Sequence, residues 1–265
     1  MSAPEELRDR GELEQVLRRH AALHLYELGD LDDPFFEHAR FYVARAPGGA
    51  IEGVALVYAG SDPPTLLALA ADERERRALE GLIPRVVSAG GGRLYVHVSP
   101  SLRPVVERLG TVEPRGHHRK LVWNARAAVS PALAEGCVAL GPEDAPEVLD
   151  LLGRAYPENF FHPRVLETRM AFGLRDGGEL VAFAGVHVFS ARYRVAALGN
   201  VVTATSRRGQ GLAGKVCAAL CAALDPVADV VGLNVDDENH AARRLYEKLG
   251  FGLVDAYDEL VLHVG

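Results

Sequence analysis

Cysteine is scarce in this chain: there are three in 265 residues, at positions 137, 217 and 221. An odd number of thiols cannot all pair, so no disulfide framework is expected, and a reducing, cytoplasmic setting fits the count best. Cys217 and Cys221 stand four apart amid alanine and leucine, on one helix face, where small buried thiols fit. The ten histidines are scattered and no Cys/His set has zinc spacing, so no metal is expected. No apolar run approaches a membrane span, and Met1 to Gln15 is too acidic and polar for a signal peptide. Positive charge is in deficit, with 29 Lys and Arg against 36 Asp and Glu for a net charge of −7, which argues against nonspecific nucleic-acid binding. Neither nucleic acid nor membrane is therefore expected as a partner. A Walker A loop is also missing, because Gly214-Lys215 is followed by Val216 rather than Ser or Thr. Gly209 to Gly214 fits the dinucleotide fingerprint G-x-G-x-x-G, but no acidic residue ends a second strand about twenty residues on, as ribose binding requires.

What is present is ordinary globular composition, 48% hydrophobic and 25% charged, in a chain long enough for one large domain or two small ones. The run Thr205-Ser206-Arg207-Arg208-Gly209-Gln210-Gly211-Leu212-Ala213-Gly214 stands out. It lies between a β-rich stretch, Val195 to Thr203, and an apolar helical stretch, Leu212 to Leu224. Glycines at 209, 211 and 214 let the backbone turn tightly and bring its N–H groups close to a ligand. The helix that follows aims its unpaired N–H groups and positive dipole end at the same spot. With Arg208 as a fixed cation, the segment reads as a pyrophosphate cradle.

A second block stands downstream of an apolar strand, Asp229 to Val235: Asn239-His240-Ala241-Ala242-Arg243-Arg244-Leu245-Tyr246-Glu247-Lys248-Leu249-Gly250-Phe251. Leu245, Leu249 and Phe251 also read as core, and Gly250 as a helix stop. Together, Arg208-x-x-Gly211-x-Ala213 and this Asn-x-x-Ala-x-x-Leu-Tyr-x-x-x-Gly-Phe helix resemble the two motifs of the GNAT superfamily of acyl-CoA N-acyltransferases. The resemblance covers roughly the last half of the chain and implies an α/β (α+β mixed sheet) GNAT fold there.

The spacing predicts a catalytic domain over 137–265, a linker over 126–136 and a first half over 1–125. In the second half a strand Cys137 to Leu140 and a helix Ala145 to Ala155 lead to an aromatic loop, Tyr156 to Pro163. A short helix near Arg164 to Thr168 follows. Strands Ala171 to Arg175 and Glu179 to Ser190, joined through Asp176-Gly177-Gly178, precede the strand Val195 to Thr203. Two further short strands are expected after Phe251. The first half reads in the same order, with a helix Leu13 to Leu25, strands at 40–46, 51–59 and 65–70, a helix Asp72 to Val87, a strand Arg93 to Val98, a helix Ser101 to Leu109 and a strand His118 to Trp123. That order resembles a second, degenerate GNAT domain. Where the second half has its glycine turn, the first has Ala71-Asp72-Glu73-Arg74-Glu75, a capping pattern whose carboxylates would repel a pyrophosphate. No CoA binding is expected there.

The resemblance implies acetyl-CoA as co-substrate and direct attack of a primary amine, a small molecule or an amino acid being favoured, on the thioester carbonyl in a ternary complex. It places the pantetheine arm along Val201, Val202 and Thr203 and the pyrophosphate on the amides of Gly209, Gln210, Gly211, Leu212 and Ala213, with Gly214 completing the turn and Arg208 at the rim. Asn239 would touch the pantetheine or cysteamine region, the Val202 N–H would meet the oxyanion, and Tyr246 would protonate the departing thiolate. No glutamate stands on the strand where many members carry the base; Asn200 there positions a water or an amine. His187, Glu158 and His162 are alternatives for the proton. Tyr156, Phe160 and Phe161 read either as an acceptor wall or as lid packing. Asp236, Asp237 and Glu238 read as capping charge for the helix after Asn239. The block Leu198-Gly199-Asn200-Val201-Val202-Thr203 through Ala213 is also similar to the glycine N-acyltransferase-like branch, whose members pair a degenerate first half with an active second. A longer acyl-CoA donor, aminoacyl-tRNA, and a non-enzymatic acyl-CoA-binding module are the alternatives, and a monomer or homodimer is expected.

Overall fold

A computed structural model describes residues 3–159 and 161–264 of the chain. Its first elements are β1 (Glu5–Leu7), α1 (Arg10–Leu17), α2 (Leu25–Gly29), β2 (Ala39–Arg45), β3 (Ile51–Tyr58) and β4 (Thr65–Ala68). Next come α3 (Glu73–Gly90), β5 (Arg93–Val98), α4 (Arg103–Glu107), β6 (Gly110–Trp123), β7 (Cys137–Ala139) and α5 (Ala145–Ala155). The remainder is β8 (Ala171–Asp176), β9 (Glu179–Ser190), β10 (Val195–Thr203), α6 (Leu212–Leu224), β11 (Val230–Asp236), α7 (His240–Lys248) and β12 (Phe251–Val264). The fold is mixed α/β, as the sequence predicts.

The chain forms two compact units. Unit 1 takes the residues up to 120, then 235–238, then those from 254 on; unit 2 takes 121–234 and 239–253. The first crossing falls between 120 and 121, ahead of the linker expected over 126–136, and the chain returns to unit 1 twice more. The reason for the late return is β12, whose Asp258–His263 pairs antiparallel with Val98–Arg93 of β5. The two short strands expected after Phe251 are one strand of 14 residues.

In unit 1 the strand order is β1-β2-β3-β4-β5-β12-β6, with β4 and β5 parallel. The 18-residue helix α3 presents Leu79, Leu82, Ile83, Val86 and Val87 at helical spacing and buries them against Leu66, Val96, Val98, Leu260 and Leu262. The single helix expected over Leu13 to Leu25 is broken instead: α1 ends at Leu17, a 3-10 turn covers Arg18–His20, and α2 starts at Leu25. Its register carries apolar side chains on both pieces, so the sequence pattern runs on where the backbone does not.

Unit 2 repeats the pairing pattern in the order β11-β10-β9-β8-β7, antiparallel except for the parallel pair β10–β11. The β8–β9 hairpin closes through Gly177 and Gly178 at φ 60° and 89°, the left-handed pair that a tight two-residue turn needs. Positions 180–186 of β9 are all buried, as a strand covered on both faces must be. From α5, Val148, Leu151 and Leu152 pack with Phe183 and Val202. The helix α6 also packs on β8, β9 and β10, and its alanines and two cysteines let it lie close.

Candidate functional site

The site is set by where β10 stops pairing. Val195, Ala196, Ala197 and Leu198 pair in parallel with Val230, Val231, Gly232 and Leu233 of β11, and the register goes no further although β10 runs on to Thr203. On its other edge β10 stays bonded to β9 through two irregularities. At the first, His187 is the extra residue between Val188 and Val186, opposite Ala197 and Leu198. At the second, Asn200 and Val201 together stand opposite Ala184, one residue in excess, and Asn200 adopts a left-handed φ of 54°, which asparagine tolerates better than most residues. These bulges turn β10 away from β11 and open a fork between them.

Backbone polarity within the fork follows from the ladder. Ala204 donates its N–H to the Val181 carbonyl at 2.8 Å, and Val202 pairs with Phe183 two residues earlier. Antiparallel alternation therefore commits the Val202 N–H to β9. That corrects the expectation that Val202 faces the oxyanion. Val201 and Thr203 turn their N–H groups to the opposite edge, which β11 has left.

Beyond the fork the chain takes a 3-10 turn over Thr205–Arg207, and Arg208 is extended. Gly209 and Gly211 follow at φ 80° and 77°, and a Cβ at either would meet nothing within 4 Å. Backbone conformation, and not space, demands glycine there. Gly211 starts α6 with no side-chain cap, so the N–H groups of Leu212, Ala213 and Gly214 have no intrahelical partner. Successive left-handed and helix-start amides of this kind form an anion nest. Gln210 is exposed, while Leu212, Ala213 and Gly214 are half-buried. Gly214 serves packing as well: a Cβ there would stand 3.1 Å from Leu245 of α7.

Other predicted residues fall into place with qualifications. Arg208 is exposed beside the nest and donates through Nη2 to the Ala155 carbonyl at 2.9 Å, at the end of α5. Asn239 caps α7, its Oδ1 accepting from the Ala242 N–H at 3.1 Å. Tyr246 is buried on α7 with its ring edge-on to Phe251 at 5.8 Å. His187 is exposed, yet protein packed around its ring disfavours the imidazolium and lowers its pKa below the usual histidine range. Its backbone lies so close to β10 that a Cβ at position 199 would meet the His187 Cβ at 2.7 Å, which explains Gly199.

The aromatic loop divides. Tyr156 is exposed at the end of α5. Phe161 is half-buried and sits edge-on to Phe183 at 5.6 Å, which makes it core packing. Phe160 lies outside the described residues. His162 accepts the Arg164 N–H through Nδ1 as a local cap, and Glu158 is exposed. No group of three or more His, Cys, Asp or Glu suited to a metal occurs among the described residues.

Sequence reasoning missed Asn234, the first β11 residue past the last ladder pair, whose Oδ1 is buried without a hydrogen-bond partner among the described residues. It missed the fork too, although Gly199-Asn200 inside an apolar strand is the signal for a bulge.

The corresponding place in unit 1 is closed. There β4 and β5 pair from Thr65↔Tyr95 to Ala68↔Val98. Beyond the pair the Ser99 N–H reaches the Ala68 carbonyl at 3.2 Å and the Ala70 N–H reaches Ser99 Oγ at 2.9 Å. The start of α3 is capped by Asp72, which accepts the Glu75 N–H at 2.9 Å, while Glu75 accepts the Ala71 N–H at 2.7 Å.

Comparison with known proteins agrees with this geometry. Residues 143–251 match the model of the Acetyltransferase (GNAT) family, which marks the chain as an acyltransferase. No curated protein matches the chain. Among solved structures, a putative GNAT-family acetyltransferase from Novosphingobium aromaticivorans is 20% identical, covers 96% of this chain and 99% of its own, and superposes with a TM-score of 0.56. A GNAT-family acetyltransferase from Colwellia psychrerythraea is 15% identical over 100% of both chains, with a TM-score of 0.60. A tandem GNAT protein from the clavulanic acid biosynthesis pathway is 18% identical, covering 99% of this chain and 98% of its own, with a TM-score of 0.57. At these identities the likeness is one of fold.

Proposed function

From an acetyltransferase (GNAT) domain at residues 143–251, we propose that the chain transfers an acetyl group from acetyl-CoA to a primary amine, with both substrates bound at once. The observation that carries this reading is the fork between β10 and β11 that ends in an uncapped, glycine-led helix start. An open strand edge suits an extended amide-bearing arm, which adds to β10 as a strand would. The nest of Gly209, Gln210, Gly211, Leu212 and Ala213 suits a pyrophosphate, and Arg208 adds a cation at its edge.

Acetyl-CoA supplies the thioester that the amine attacks. The fork-facing N–H groups of Val201 and Thr203 are the donors for the oxygen that gains charge, in place of Val202. His187, held neutral by its surroundings, is able to take the proton from nitrogen, and Asn200 orients what approaches. Tyr246 returns a proton to the departing sulfur. Asn239, already capping α7 through Oδ1, has its Nδ2 left for the arm. Unit 1, with its paired strands and capped α3, binds no CoA and serves as scaffold.

Calorimetric titration of the full chain with acetyl-CoA tests the reading. Saturable binding is expected, weakened at least about tenfold by Arg208→Glu, which sets an anion beside a pyrophosphate. Tyr246→Phe should keep that affinity and lower thiol release. Absence of binding by the parent protein overturns the assignment.

A further inference from the structure

We infer that unit 2 carries a second small-molecule site, which takes a zwitterionic α-amino acid with an apolar side chain. It is the cavity between the end of α5, the β8–β9 hairpin and the turn over Thr205–Arg207. The site is separate from the fork, and the inference goes beyond the acyl-transfer reading without resting on it.

The cavity measures about 300 Å³, at the lower end of the range for ligand pockets, about 300–1,000 Å³. Its floor is apolar, made by Leu151, Val181 and Ala204, all buried. Its rim is charged but neutral in sum, with Arg154 and Arg207 against Asp176 and Glu179. On the side of β10 the lining starts at Ala204, just past Thr203, the last residue of the strand.

The carboxylates point to a cationic group. Asp176 and Glu179 are direct partners across the hairpin. In such a pair the Cβ atoms stand about 4.5–5.5 Å apart, and like charges there destabilise a sheet. Each carboxylate is held by a different guanidinium. Arg207 pairs with Asp176, while Arg154 Nη2 reaches Glu179 Oε1 at 3.1 Å and Asp150 Oδ2 at 2.7 Å. Arg154, Asp176 and Glu179 are exposed and Arg207 is half-buried, so these ion pairs are weak and open readily to a new partner. An ammonium between the two carboxylates relieves their repulsion and releases both guanidiniums to grip a carboxylate.

Charge then selects the class of ligand. A plain anion such as phosphate meets two carboxylates at the rim, and a plain cation meets two guanidiniums. An α-amino acid carries both charges on one carbon, so it exchanges with both ion pairs and leaves the cavity neutral. Its side chain has the floor of Leu151, Val181 and Ala204 to cover, which favours an aliphatic group.

The test is calorimetric titration of the full chain, without CoA, with L-leucine, glycine, L-leucinamide and 4-methylpentanoate. Leucine should bind saturably. Glycine lacks the apolar side chain, leucinamide the carboxylate and 4-methylpentanoate the ammonium, so each should bind at least about tenfold more weakly. Asp176→Asn combined with Glu179→Gln removes the ammonium site and should weaken leucine about tenfold. Arg154→Gln should weaken it through the carboxylate, and the melting temperatures of both variants should show that they remain folded. The inference is overturned if leucine does not bind or if any partial probe binds as tightly. It is equally overturned if folded variants keep the affinity of the parent, which would place the amino acid elsewhere. With no CoA in the titration, each of these results is distinct from failure of acetyl-CoA to bind, which removes the acyl-transfer reading alone.

Discussion

Single residues decide more here than their number suggests. Gly209 and Gly211 were legible because glycine before a helix has a backbone meaning, and Arg208 and Tyr246 because they stand in spaced motifs. Asn200 was legible by its strand position but not by its conformation, since φ at a bulge depends on the neighbouring strand. Asn234 was illegible, because an orphaned oxygen exists only once the fold has closed around it. The same holds for unit 1, where His24 is buried between Glu27, 3.1 Å away, and Glu75. Burial opposes the charged ring, but the hydrogen bonds to Glu27 and Glu75 prevail and lift its pKa from 6.5 to about 9. Asp30 is raised from 3.8 to about 8 by burial and then by the Glu27 charge. Both groups hold a proton in the folded state that the unfolded chain gives up. The His24 contribution is complete below pH 6.5 and lost as pH rises through 9; that of Asp30 is complete below 3.8 and lost through 8. Stability should therefore fall between pH 6 and pH 9 in calorimetric melting, and His24→Gln should shrink the fall. Equal melting temperatures at the two pH values would contradict it.

At the scale of elements, β9, β10, α5 and α6 have the ends their sequence predicts. Each is bounded by a local signal: a Gly-Gly turn, a glycine-led helix start, or a proline near the helix start. Elements without such marks were misread. The helix over Leu13 to Leu25 breaks, and β6 begins at Gly110 rather than His118. The strand β12 is continuous because it is bonded to β5, a partner far away in sequence. The fork is likewise a property of pairing. Hydrogen exchange should expose it directly. Amides along the β4–β5 ladder should be protected throughout, while those of Val201 and Thr203 should exchange fast in the free protein. Acetyl-CoA should slow Val201 and Thr203 selectively. Protection of these two amides without ligand would mean that the fork is closed in solution.

For the whole molecule the decisive fact is that unit 1 is assembled from three separate stretches of chain. A fragment ending near Asn124 looks like a natural way to isolate the first half, and its sequence alone gives no warning. Yet it would lack β12, whose Tyr257, Leu260, Val261 and Leu262 are each no more than 2% exposed. Leu260 and Leu262 belong to the same core cluster as Leu79, Ile83 and Val96. Burying four such side chains stabilises by on the order of 6–12 kcal/mol, comparable with the whole stability of a typical domain, about 5–15 kcal/mol. The bonding edge of β5 would also be left bare over Arg93–Val98. Such a fragment should show no cooperative melting transition by circular dichroism, and a sharp transition would show that β12 is dispensable. If the fragment does not fold, its failure to bind CoA says nothing about unit 1. The informative protein is the full chain carrying Arg208→Glu together with Gly211→Val, which blocks the nest of unit 2 and leaves β12 in place. Residual saturable binding in that protein would locate a second CoA site in unit 1; its loss would leave unit 1 as scaffold alone.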